Sequence, residues 1–203
     1  MKEGFVMLKK GCLGIIIIFV GLMVLGGIIA AVSGDSDSGS NSSSSSTSAP
    51  VKKDGLTYEK FVSVQMGSSY EDVVAIIGEE GKLGTSNTIG DIETKMYEWN
   101  DGGANMNAMF QNGKLVNKAM ASLSQLVKPN GDNIKMEQFD KVQNGMSYEE
   151  VKAIFGRDGF IMSEGSMMGI TTQMYCWINT GGANAEVTFQ NGGVQMKAQV
   201  GLK

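Results

Sequence analysis

Few residues of this chain have the chemistry of a catalytic or metal site. There is no His among its 203 residues, which removes the commonest general base and the commonest metal ligand. Two pairs of adjacent carboxylates, Glu71-Asp72 and Glu149-Glu150, suggest acid–base chemistry, but neighbours along a helix do not face one another. Each pair follows a serine, Ser69 or Ser147, at the spacing of a helix capping box. The carboxylates are therefore expected to cap helices.

Cys176 and two glycine-rich turns are the other candidates for chemistry. The thiol of Cys176 has no His to activate it. Cys12 lies on the far side of an apolar block from Cys176, so no disulfide framework is expected. Gly-Gly-Ala-Asn at 102–105 and 181–184 lacks the Lys and Ser/Thr of a phosphate-binding loop and fits a turn between strands. We expect no catalytic residue, no cofactor and no metal.

Four aromatic residues are more informative, because they occur as the pairs Tyr97/Trp99 and Tyr175/Trp177. Both pairs belong to an internal duplication in which Phe61–Gly78 recurs 78 residues later as Phe139–Gly156. One interpretation places the aromatics in a core that the two copies share. The other places them on an open sheet face, where Tyr and Trp anchor partner proteins.

The elements that must position these residues are predicted to be the same in both copies. Capping serines begin a short helix and Gly78 or Gly156 ends it. Alternating strands joined by Asn-Gly turns follow. We predict an α+β fold of two tandem repeats, 56–127 and 134–203. Each has two short helices on one face of a three- to four-stranded antiparallel sheet and leaves the other face open.

Strict alternation predicts which side chains lie on that open face. In the first repeat Met109, Val116, Lys118 and Met120 point away from the helices; the corresponding residues of the second repeat are Thr188, Gln195, Lys197 and Gln199. The first repeat thus presents the more apolar face, and an exposed apolar patch marks an interaction site or a contact between sheets. The candidate partner-binding residues are Trp99, Met109, Val116, Met120, Tyr97, Tyr175 and Trp177.

The N-terminal part of the chain is predicted to be a membrane anchor and a spacer. Residues 11–33 are uncharged and apolar, the length of a bilayer-spanning helix. Lysines before them and aspartates after them predict a cytoplasmic segment at 1–10 and an extracellular C-terminal domain. A cleaved signal peptide is the alternative. Small residues four apart in the anchor allow a weak homodimer. The serine-rich residues 34–55 are predicted to form a disordered tether.

The charge balance excludes one class of partner. The chain has 17 Lys+Arg and 21 Asp+Glu, and a nucleic-acid binder needs a basic face to displace counterions from phosphates. A helix-turn-helix role for the paired helices is therefore not expected.

The repeated stretch Phe61–Gly78, the Tyr-x-Trp strand, the Gly-Gly turn and the Phe-Gln-Asn-Gly hairpin together resemble the tandem-repeat fold of β-lactamase-inhibitor-like proteins. The same unit occurs singly in the small SmpA/OmlA outer-membrane lipoproteins, and anchored Gram-positive surface proteins are similar over Leu56–Lys203. The resemblance implies a four-stranded sheet in each repeat and a concave protein-binding surface. The secreted inhibitors have a disulfide in each repeat that this chain lacks, and their enzyme-contacting loop matches no stretch here. Inhibition of β-lactamase is therefore not implied.

The sequence thus predicts a single-pass protein of the cell membrane whose extracellular domain binds a partner protein at the cell surface. Three alternatives stay open. One is a phage or mobile-element protein that acts in superinfection exclusion. The second is an inhibitor of an envelope enzyme, similar to the β-lactamase inhibitors. The third, an enzyme acting on envelope polymers, is disfavoured because no acid pair converges.

Overall fold

The computed structural model of the protein describes residues 55–101, 103–121 and 127–203. The predicted anchor at 11–33 and nearly all of the predicted tether lie outside these ranges. No helix within them is long and apolar enough to cross a bilayer. The described residues form an α+β fold, as predicted. The elements of the first repeat are α1 (Tyr58–Ser63), α2 (Tyr70–Ile77), β1 (Lys82–Ile89), β2 (Ile92–Asp101), β3 (Ala104–Gln111) and β4 (Lys114–Ala121). Those of the second are α3 (Met136–Lys141), α4 (Tyr148–Phe155), β5 (Phe160–Met167), β6 (Ile170–Ile178), β7 (Asn184–Gln190) and β8 (Gly193–Val200).

The strands of both repeats form one continuous antiparallel sheet in the order β1 to β8, so that each strand pairs with the next one along the chain. The two halves are joined where β4 pairs with β5 over only three residues on each strand: Asn117 with Gly165, Lys118 with Glu164, and Ala119 with Ser163. The two sheets therefore do not pack face to face.

Capping explains where α2 and α4 begin. The hydroxyl of Ser69 accepts a hydrogen bond from the backbone N–H of Asp72, and the Asp72 carboxylate accepts one from the backbone N–H of Ser69. Ser147 and Glu150 repeat this arrangement. These hydrogen bonds from serine lower the pKa of both carboxyl groups below their ordinary values. The acidic pairs are thus helix caps, as the spacing predicted.

The second copy has one residue more than the first, because Trp99 recurs 78 residues later as Trp177 and Gly102 recurs 79 residues later as Gly181. The structure locates this insertion. The carboxylate of Asp101 accepts a hydrogen bond from the Leu56 N–H at 2.9 Å. In the second repeat the side chain of Asn179 accepts one from the Ile134 N–H at 2.8 Å. Asp101 and Asn179 are therefore equivalent, and the extra residue is Thr180, in the turn between β6 and β7.

A bulge in β4 changes the predicted alternation. Phe110 pairs with Leu115, but Met109 pairs with Asn117 and not with Val116. Val116 is the extra residue of the bulge. Every side chain after it in β4 therefore points to the face opposite to the one that strict alternation predicts. The same shift lies between Thr188 and Phe189 in the pairing of β7 with β8. The predicted outward orientation of Lys118 and Met120, and of Lys197 and Gln199, is therefore wrong.

Candidate protein-binding surface

The four helices cover one face of the sheet, and the paired aromatics lie on that face. The Tyr97 ring stacks on Tyr70 of α2 with 4.1 Å between centroids. Trp99 is 1% exposed, and its indole N–H donates to the Glu79 carbonyl at 2.9 Å. The same packing occurs in the second repeat, where the centroids of Tyr148 and Tyr175 are 4.5 Å apart.

The aromatic stripe on the open face is therefore wrong, and the shared core is confirmed. Trp177 is fully buried and donates its N–H to the Arg157 carbonyl. Cross-strand partners share a face, and Tyr97 and Trp99 pair with Ala108 and Met106, which face the helices. Neither Trp is available to a partner protein.

Met120 is excluded for the same reason. It pairs with Met106 and is 1% exposed. Lys118 also points under the helices: its ammonium group donates to the carbonyls of Phe61 and Val64 at the end of α1 and lies over the Phe61 ring. Of the predicted set, only Met109 and Val116 are placed away from the helices, and both are half-buried.

The open face of the first repeat is polar with a small apolar part. Met96 pairs with Met109, and Asn107 lies between Glu98 and Ala119. The side chain of Asn105 donates to that of Asn100 on the neighbouring strand. Amides supply both donors and acceptors, so this face suits polar recognition around a central methionine pair. No cluster of His, Cys, Asp or Glu within the described ranges is suited to a metal ion.

A small cavity lies on the helix-covered side of the first repeat. It has a volume of about 140 Å³ and is lined by Tyr70, Glu71, Glu93, Lys95, Tyr97, Phe110 and Gly113. The ammonium group of Lys95 contacts the Glu93 carboxylate at 2.9 Å, which raises the pKa of that lysine. The charges of Lys95 and Glu93 therefore compensate each other at the rim, and Glu71 adds a further carboxylate to the lining.

Sequence reasoning missed the two most exposed large apolar side chains of the described residues, Met168 and Ile89, which lie at two hairpin tips. Met168, between β5 and β6, is 93% exposed, and Ile170 beside it is 45% exposed. Ile89 and Ile92, between β1 and β2, are 65% and 46% exposed. The signal was present, because both tips read as apolar residues around a glycine turn, Ile-Gly-Asp-Ile and Met-Met-Gly-Ile.

The tips are related in space as well as in sequence. In a sheet that runs in order from β1 to β8, the β1–β2 and β5–β6 tips lie at the same end. They are four strands apart in the sheet. Met168 adopts φ 53°, a left-handed conformation that is costly for a residue other than Gly, Asn or Asp. Met168 and Gly169 are the two residues of the turn between β5 and β6, and both have positive φ, as a type I′ hairpin turn requires.

The fold and this surface define a class: a duplicated α+β protein with an open sheet face suited to binding. The sequence profile of the β-lactamase inhibitor (BLIP) family matches residues 57–158 and 135–203, and the chain belongs to this family.

A solved structure shows the same fold. It is the crystal structure, at 1.40 Å resolution, of a proposed β-lactamase inhibitor protein from Streptococcus mutans. The two structures superpose with a TM-score of 0.60 over 71% of this chain and 95% of that one, at 19% identity. At that identity the likeness concerns the fold alone. No curated protein matches the chain.

Proposed function

We propose that this protein is an inhibitor-like protein-binding module whose partner contacts the open sheet face and the two hairpin tips beside it. The exposure of Met168, 93%, at a hairpin tip carries the proposal. Family membership supports it, because the family is described as one of inhibitors. It also favours a binding role over a catalytic one.

The two tips provide apolar anchors, and the face between them provides hydrogen bonds. Apolar anchors surrounded by polar groups are the usual composition of a protein-binding site. The mild acidity of the chain, formal net charge −4, favours a partner with a neutral or basic surface.

Charged substitutions at the tips test the proposal. We compare Ile89→Asp/Met168→Asp with the matched control Thr88→Asp/Gln190→Asp, which adds the same charge at exposed polar positions. Aspartate tolerates a left-handed conformation better than methionine does, so the tip variant is expected to fold. Tagged full-length chains are cross-linked on intact cells, and the same cross-linked species is quantified for each.

Loss of two apolar anchors is expected to lower recovery of that species at least about tenfold relative to the control. Equal recovery from the two variants would show that the tips do not contact the partner.

The inhibitor-like part of the proposal concerns the nature of the partner. We assign it to an enzyme, because the family is described as one of β-lactamase inhibitors, and the proposed membrane anchor would place that enzyme in the cell envelope. The purified protein is titrated against β-lactamases and penicillin-binding enzymes while hydrolysis of a chromogenic β-lactam is followed. Saturable inhibition that the tip variant lacks is expected. Full enzyme activity at saturating protein would contradict this assignment.

The proposal also includes an anchor at 11–33 and an extracellular position for residues 55–203. The charge-free apolar stretch with lysines before it supports this. Protease added to intact cells should degrade the domain and leave an N-terminal fragment that resists alkaline extraction from membranes. A domain protected until the cells are lysed would contradict the orientation.

A further inference from the structure

The two outer strands of the sheet, β1 and β8, correspond in the duplication to two strands that pair with each other inside the sheet, β5 and β4. By the 78-residue repeat β1 is the counterpart of β5, and by the 79-residue repeat β8 is the counterpart of β4. The pairing registers agree: Leu83 pairs with Tyr97 as Ile161 pairs with Tyr175, and both strands are irregular at the next residue. A second copy of the chain could therefore place its β8 against β1 in the geometry of the internal junction.

The β1 edge is sterically open to such a contact. All eight residues of β1 are exposed, and within the described ranges its only strand neighbour is β2. The irregularity after Leu83 does not block pairing, because β5 has one in the same place and still pairs with β4 through the residues beyond it. Repeated head-to-tail pairing of this kind would give an open filament.

Four side chains hold the internal junction together. The hydroxyl of Tyr58 accepts a hydrogen bond from the Ile161 N–H at 2.8 Å, and its ring meets Phe160 edge-on at 5.5 Å. The ammonium group of Lys118 lies 3.5 Å from the Glu164 carboxylate.

Gly165 provides the space that the junction needs. A Cβ atom at this position would lie 2.9 Å from the side-chain nitrogen of Asn117 on β4. A side chain at this position would therefore force the Asn117 side chain to move, whereas the nearest backbone atom of β4, the Val116 carbonyl oxygen, would lie at 3.6 Å.

At the outer edges each of these residues except Lys118 is replaced by one that disfavours the same contact. Lys82 stands at the position of Phe160, Ser86 at that of Glu164, Asn87 at that of Gly165, and Met136 at that of Tyr58. The outer edges therefore lack the aromatic contact of Phe160, the carboxylate of Glu164, the space left by Gly165 and the hydroxyl of Tyr58. Lysine on an edge strand also opposes pairing by itself.

One feature of the junction, a lysine that contacts a helix carbonyl and a Phe ring, is still present at the outer edge as Lys197. It corresponds to Lys118, and its ammonium group donates to the Phe139 carbonyl at 2.8 Å and lies over the Phe139 ring. In the described ranges no carboxylate lies within ion-pair distance of it.

We propose that Tyr58, Phe160, Glu164 and Gly165 select β4 as the partner of β5, and that Lys82, Ser86, Asn87 and Met136 prevent a second copy from forming the same contact at the edges. The residues that differ between the repeats thus allow this strand pairing within one chain and oppose the same pairing between two chains.

Restoring the junction residues at the edges tests this. The full-length variant Lys82→Phe/Ser86→Glu/Asn87→Gly/Met136→Tyr is compared with wild type and with the matched control Lys82→Phe/Ser86→Gln/Asn87→Gly/Met136→Phe. The control has the same added apolar surface but lacks the carboxylate and the hydroxyl. Circular dichroism verifies folding, and sedimentation velocity between about 1 and 100 μM measures association; all three chains carry the same N-terminal segment, so its contribution cancels.

The restored variant should associate at concentrations at least tenfold lower than the control, and adding Lys197→Met should reverse this. Association equal to that of the control, or unchanged by Lys197→Met, would overturn the proposal. If the restored variant fails to fold, Ser86→Glu/Asn87→Gly against Ser86→Gln/Asn87→Gly is measured in the same way, because both substitutions lie on an exposed strand. Equal association of that pair would likewise overturn the proposal.

Discussion

The ion pair between Lys118 and Glu164 is expected to couple the two repeats energetically. Lys118 is 1% exposed, and its ammonium group lies 3.5 Å from the carboxylate. At an effective dielectric constant of about 20, two charges at that distance attract by about 5 kcal/mol, and the cost of taking both out of water offsets most of this. We expect a net coupling of about 1 to 2 kcal/mol in a double-mutant cycle of Lys118→Met and Glu164→Gln.

The second repeat supplies the control for this cycle. Lys197 makes the same kind of contacts with a helix carbonyl and a Phe ring, but within the described ranges it has no carboxylate beside it. Urea unfolding of the four chains gives each free energy of unfolding. The coupling between Lys197→Met and Glu164→Gln should lie within about 0.5 kcal/mol of zero. Equal couplings in the two cycles would refute the ion pair as the cause.

The pH dependence of the same variant follows from the pKa of Lys118. Burial lowers this pKa below its ordinary value, and Glu164 partly opposes that shift. Between this lowered pKa and the ordinary lysine pKa the unfolded chain binds more protons than the folded one, so across that window the contribution of Lys118 to the free energy of unfolding rises with pH. Glu164→Gln lowers the pKa further. Its destabilising effect should shrink as pH rises and Lys118 becomes neutral.

Three further predictions concern single residues. Gly159→Ala would place a Cβ atom 2.7 Å from the Trp177 ring and should lower the free energy of unfolding in urea by about 1 to 3 kcal/mol. The control Gly84→Ala, whose Cβ atom would have its nearest neighbour at 3.4 Å, should lower it by less than about 1 kcal/mol. Equal losses for the two variants would contradict the steric reason. Burial raises the pKa of Tyr58 to about 12, so the free energy of unfolding should fall between pH 10 and 12. Tyr58→Phe should make that fall smaller without abolishing it, because the pKa values of Tyr70, Tyr148 and Tyr175 are raised as well. A fall of the same size in the variant would assign it wholly to those other groups. Asn179→Ala removes the side chain that accepts a hydrogen bond from the N–H of Ile134 and donates one to its carbonyl, just before α3. The substitution should lower the free energy of unfolding by about 2 kcal/mol, which thermal unfolding measures. An unchanged midpoint would show that water replaces those hydrogen bonds.

Local features of the fold were predictable from sequence because they depend on residues close together in the chain. The capping boxes of Ser69 and Ser147, the glycine ends of α2 and α4 and the Asn-Gly hairpins all agree with the structure. Each rests on interactions within a few residues.

The candidate surface was harder to predict because it depends on pairing between strands. One extra residue at Val116 moved Met120 to the helix-covered face, and period-2 alternation contains no signal for such a bulge. The position of Trp99 needed knowledge of which face α2 covers. The role of residues that differ between the repeats also depends on pairing between strands. Some of them, Tyr58 and Glu164 among them, hold the repeats together.

The order of the strands has a consequence for how the chain folds during synthesis. Each strand pairs with its predecessor, so contacts form in the order in which the chain emerges, and few of them span long loops. The helices and strands of the first repeat are complete before β5 exists. Until then the buried ammonium group of Lys118 has no carboxylate and the Tyr58 hydroxyl has no donor from Ile161. The first repeat therefore lacks two of its stabilising contacts until β5 has been made. Chains truncated after β4 should be targets for proteolysis.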